Sequence, residues 1–81
     1  MINQELFFKL YSRIVTLLPN IKITYEIIMG GNVVMIVYMV NNISLTSYVN
    51  NVELKNIQSD LPKYVTNVKK ALVYKLFGDI R

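Results

Sequence analysis

Three turn signals recur about every ten residues through the middle of this chain: "GGN" at 30–32, "NN" at 41–42 and "NN" at 50–51. Gly and Asn accept the positive φ that tight hairpin turns demand. The runs between the signals are dense in Ile, Val, Thr and Tyr, residues that favour strands. The pattern predicts an antiparallel meander with strands at Ile21–Met29, Val33–Val40 and Ile43–Val49. Beyond the last signal, Val52–Lys55 fits a short fourth edge strand, a loop or a helical turn.

Tight turns fix the register, and the register fixes the faces. A two-residue turn at Gly30-Gly31 pairs Ile27 with Val34 and Tyr25 with Ile36. A turn at Gly31-Asn32 pairs Ile27 with Ile36 instead. In both cases odd positions of the first strand share a face with even positions of the second. Asn41-Asn42 pairs Val40 with Ile43 and Tyr38 with Leu45 in the same way. One face then holds Ile21, Ile23, Tyr25, Ile27, Val34, Ile36, Tyr38, Val40, Ile43, Leu45 and Val49, and is almost wholly apolar. The opposite face carries a central stripe of Val33, Met35, Val37 and Met39. Lys22, Thr24, Glu26 and Ile28 flank it on one side, and Ser44, Thr46 and Tyr48 on the other.

Helical patterns bracket the meander. Leu6, Phe7, Leu10, Tyr11, Ile14, Leu17 and Leu18 recur at three- and four-residue spacing, with Asn3 placed to cap and Pro19-Asn20 placed to stop. A second helix follows "IQSD". Its apolar stripe is Leu61, Tyr64, Val65, Val68, Leu72 and Leu76, with Ser59 or Asp60 as cap, Pro62 in the first turn and Gly78 as the stop. The expected fold is α+β: a two-layer sandwich in which N- and C-terminal helices pack on one face of a three-stranded antiparallel meander, a fourth strand being left open. No linker or repeat divides the chain, so residues 1–81 read as a single domain.

The composition excludes several chemistries. The chain has no His, no Cys and no Trp, which removes the commonest general base, the thiol nucleophile and the usual zinc ligands. Its acids, Glu5, Glu26, Glu53, Asp60 and Asp79, are scattered over different elements, so neither a carboxylate pair nor a Mg²⁺ site is expected. The reading is a non-enzyme with no cofactor, no metal and no small-molecule substrate. The longest membrane-span candidate is interrupted by Lys22, Glu26 and Gly30-Gly31-Asn32, leaving an eight-residue apolar run against the ~18 residues a span needs. No membrane partner is expected, nor does the start show a secretory signal, and the chain reads as cytoplasmic. Ile, Asn, Lys, Tyr and Phe abound while Ala occurs once, a bias toward A/T-rich codons that points to a virus or mobile element and so to a host cell's cytoplasm.

Apolar residues make up 53% of the chain, more than a small domain readily hides. A contiguous apolar stripe with a polar rim is the usual anatomy of an interface, and Met is common at adaptable ones. The candidate partner surface is therefore Val33, Met35, Val37 and Met39 with Thr24, Thr46 and Tyr48, and its occupant a protein partner or a second copy in a homodimer, an interaction that could inhibit a host factor. Two plainer readings stay open: a central strand exposing a few apolar residues among long polar neighbours, or one helix covering each face. The alternative function is nucleic-acid binding. The net charge of +4 and the lysines of the last helix give a second candidate set, Lys63, Asn67, Lys69, Lys70, Tyr74 and Lys75, with Arg81 beyond it.

Overall fold

The computed structural model describes residues 1–78; Asp79 and Arg81, charges noted in the sequence, lie outside the described residues. The first helix, α1 (Gln4–Leu17), is capped by Asn3, whose side-chain oxygen accepts from the Leu6 N–H at 3.1 Å. Phe7, Leu10 and Ile14 are buried along one face of it. Leu17, expected in that stripe, is exposed. The helix ends there, and the Leu18 backbone turns out of helical geometry and buries its own side chain instead.

Three antiparallel strands follow in sequence order: β1 (Lys22–Ile28), β2 (Val33–Val40) and β3 (Ile43–Val49). Ile27 pairs with Val34 and Tyr25 with Ile36, the register of a turn centred on Gly30-Gly31. That turn is closed by the Asn32 N–H donating to the Met29 carbonyl at 3.3 Å, with φ of +56° at Met29, +67° at Gly30 and +92° at Gly31, the positive-φ geometry of a tight hairpin turn. Two glycines in succession make this left-handed path accessible. The second hairpin pairs Val40 with Ile43 and Tyr38 with Leu45, with Asn41 at φ +53°.

The fourth strand considered for Val52–Lys55 does not form. Those residues belong to a helix, α2 (Asn51–Ser59), followed after Asp60 by α3 (Leu61–Gly78). Asn50 decides the matter locally, because its side chain accepts from the Glu53 N–H at 3.0 Å and starts a helix. Leu54, Ile57 and then Leu61 continue inward at helical spacing, and all three are buried. Asp60, rather than Ser59, caps α3, accepting from the Lys63 N–H at 3.2 Å. The Ser59 hydroxyl donates back to the Asn56 carbonyl.

The core is one cluster. From the sheet it takes Val34, Ile36, Tyr38 and Val49. From the helices it takes Phe7, Leu10, Ile14, Leu54, Val65, Val68, Leu72 and their neighbours. Every sheet residue in that cluster comes from the same face, so the helices form a single layer and do not cover both faces. At the β1 margin Tyr25 packs edge-on against Phe7, Phe8 and Tyr11, with ring centroids 5.0–5.6 Å apart. The Tyr11 hydroxyl donates to the Ile23 carbonyl at 2.8 Å and ties α1 to that strand. The start of the chain is pinned as well. The Ile2 N–H donates to the Gly31 carbonyl at 2.7 Å, and the Asn51 side chain bridges the Asn3 N–H and the Met1 carbonyl.

Candidate interaction face

With the helices on one side, the register alone lays out the other. Met35 lies between Glu26 and Tyr48, Val37 between Thr24 and Thr46, and Met39 between Lys22 and Ser44; Val33 faces Ile28. Directly opposed side chains on one face lie about 5 Å apart, so the flanking rows lean over the central one. Val33, Met35, Val37 and Met39 are accordingly half-buried, while Thr24, Thr46 and Tyr48 are exposed, Tyr48 at 59%. All seven residues expected at the partner surface thus fall on one face. None of them belongs to the helix-covered core. Lys22 and Glu26 are that face's only charged side chains, and they cancel.

The second candidate set is split. On α3, Lys63, Asn67, Lys70 and Tyr74 form one exposed row, since spacings of three and four residues return to the same side of a helix. Lys69 flanks that row. Lys75 does not join it, because its ammonium donates to the Ser44 carbonyl at 2.8 Å, over the β2–β3 turn. Asp60 sits at the foot of the row beside Lys63 and Asn67, which reduces its pull on phosphate.

Alongside the row, next to its Tyr74, lie Val73 and Phe77, which the sequence pattern did not single out. Val73 is 51% exposed, Tyr74 73% and Phe77 62%. With Thr66, Lys69 and Lys70 they line a shallow depression on the outer side of α3. Leu76, expected in the buried stripe, is exposed as well. The buried row of α3 ends at Leu72, and from Val73 to Gly78 every residue is exposed. The signal was present in the sequence: Lys70, Val73, Tyr74 and Phe77 share the three- and four-residue spacing of the lysine row, which placed apolar side chains on the solvent side.

The most enclosed polar contact belongs to the core. The Tyr38 hydroxyl lies 2.7 Å from that of Tyr64, joining β2 to α3. Burial, and next the neighbouring Tyr64, push the Tyr38 hydroxyl well above the ordinary tyrosine range. Burial also raises Tyr11. A phenol held this firmly protonated is a poor proton acceptor, so the pair is a structural clasp. The acids Glu5, Glu26, Glu53 and Asp60 stand on α1, β1, α2 and the α2–α3 junction respectively, and among the described residues no group of three or more potential ligands converges on a metal position. No helix among the described residues is long and apolar enough to cross a membrane. No protein-family model, curated protein or solved structure matches this chain.

Proposed function

We propose that this chain is a small non-enzymatic interaction protein that binds a protein partner, a second copy of itself in the first instance, through the outer face of its sheet. One observation carries the reading: the helices all pack on one face, leaving the apolar stripe of β2 without a covering layer. Electrostatics favours a second copy there. Two like faces stacked on each other meet no net charge, because Lys22 and Glu26 offset one another within each face. Sheet-on-sheet packing with interdigitating side chains is a common solution for such a surface, and a two-fold axis makes it self-complementary. The lack of His and Cys supports binding over catalysis. The codon-like composition bias supports an origin in a virus or mobile element, where a chain of this kind would act by occupying a host factor in the host cytoplasm.

The stripe variants test it. Met35→Glu and Val37→Lys each place a charge at the centre of the proposed interface, where burial without a partner is expensive. Both variants should keep the far-UV spectrum of a folded α+β protein and lose self-association. Unchanged association in both would remove the proposal.

A second reading, nucleic-acid binding by α3, is favoured by the exposed row of Lys63, Asn67, Lys70 and Tyr74. Contacts to two or three phosphates would give a log–log salt slope of about −2 to −3, and Lys63→Ala with Lys70→Ala would flatten it by up to ~2. A titration at low salt that shows no binding to duplex DNA or RNA disposes of this reading. It also leaves Val73 and Phe77 without a role.

A further inference from the structure

The net charge of the protein resides on one helix. Four of the nine Lys and Arg lie on α3, which contains no acid; the other five are balanced by the five Asp and Glu elsewhere in the chain. At the end of that helix the fold stops covering it. Leu72 is the last buried residue, and Val73, Tyr74, Leu76 and Phe77 follow in the open. The radius of gyration, 12.9 Å, exceeds the about 11.7 Å typical of a compact chain this long, and the longest dimension is 41 Å. An 18-residue helix of about 27 Å whose last turns overhang the core fits that elongation.

The overhang combines two demands that few surfaces meet together. Val73 and Phe77 gain by leaving water, and Lys69 and Lys70, one turn back on the same side, gain by meeting negative charge. A second copy would bring lysines against lysines. A phosphate backbone would satisfy the lysines and leave the apolar side chains wet. The surface of an anionic bilayer satisfies both, with aromatic rings at headgroup level and lysines among the phosphates. We propose that the C-terminal half of α3 is a peripheral docking site for anionic lipid surfaces, with Lys69 and Lys70 making the electrostatic contact and Val73, Tyr74 and Phe77 entering the interface. The sequence alone points away from any membrane partner, because it contains no apolar run long enough to span and its periodicity extends the buried stripe of the last helix past Leu72 to Leu76.

The test is co-sedimentation of the whole chain with vesicles of phosphatidylcholine alone and of phosphatidylcholine containing phosphatidylglycerol. Binding to the anionic vesicles only, weakening with salt, is expected. Lys69→Ala with Lys70→Ala should lower partitioning about thirty-fold. Because the protein has no Trp, Phe77→Trp supplies a single reporter, whose emission should shift to the blue on anionic vesicles and stay fixed with zwitterionic ones. All three positions are exposed, so folding is preserved, and far-UV spectra check this. Equal binding to both vesicle types, no binding to either, or an unshifted reporter would overturn the proposal. So would a short DNA duplex displacing the protein from vesicles at equal phosphate concentration, which would assign the helix to nucleic acid. Met35→Glu, which separates the copies, should still bind anionic vesicles and not zwitterionic ones, keeping this site separate from the sheet face.

Discussion

At the residue scale, Tyr38 joins packing to chemistry. Its ring is fully buried in the inner face of β2, and its hydroxyl is satisfied by Tyr64. The raised ionisation range has a thermodynamic consequence whose sign is fixed. Below about pH 10 tyrosine is neutral in both folded and unfolded chains, and Tyr38 contributes its full stability. Above that pH the unfolded chain loses a proton that the folded chain keeps, so stability falls as pH rises. Tyr38→Phe should cost about 1 kcal/mol near neutrality through the lost hydroxyl contact and should flatten the alkaline decline. Urea melts across the alkaline range read both effects, and an undiminished slope in the variant would contradict the assignment. Ile36 and Leu72 make the simpler case. Both are buried between sheet and helix, and truncation of either to Ala should cost roughly 2–5 kcal/mol in the same melts. The inward direction of these three side chains was legible because strand alternation and helix spacing are strict. The Tyr38–Tyr64 contact was not, since it depends on how far along the sheet α3 is set.

Elements whose period and caps agree are readable, whereas at α2 two signals compete, and the sequence leaves a strand, a loop and a helical turn all open there. Asn50-Asn51 resembles the hairpin turn at Asn41-Asn42, and Val52 favours a strand. Asn50 with Glu53 three residues later is also a helix-start pattern, followed by Leu54 and Ile57 on one side. The helix prevails because a fourth strand would leave Leu54 and Ile57 pointing to opposite or mismatched faces, whereas a helix buries both beside α1 and α3. The cap carries a measurable share. Asn50→Ala should cost about 1 kcal/mol, and Asn50→Gly only a few tenths. Thermal melts that rank the two variants the other way would remove the cap from the account. Asn51 has a different duty, holding Met1 and Asn3, which no pattern within the segment could announce because its partners are 48 and 50 residues away. The same limit hid the end of α3: periodicity extended the buried stripe to Leu76, but where the sheet runs out beneath a helix is a tertiary fact.

At the scale of the whole molecule, three surfaces divide the work. The inner sheet face and the helices make the core, the outer sheet face is neutral and apolar along its centre, and α3 carries the positive charge. The proposed roles follow from that division, and salt separates them. Association through a neutral apolar face should be insensitive to salt or slightly strengthened by it, whereas anything bound by the α3 lysines should weaken. The most direct test of the central claim is therefore the mass of the unmodified protein by sedimentation equilibrium at low and at high salt. The account predicts twice the 9.4 kDa chain mass at both, returning to the single-chain value in Val37→Lys. A single-chain mass at both salt concentrations across the micromolar range, or a dimer that dissociates as salt is raised, would contradict it.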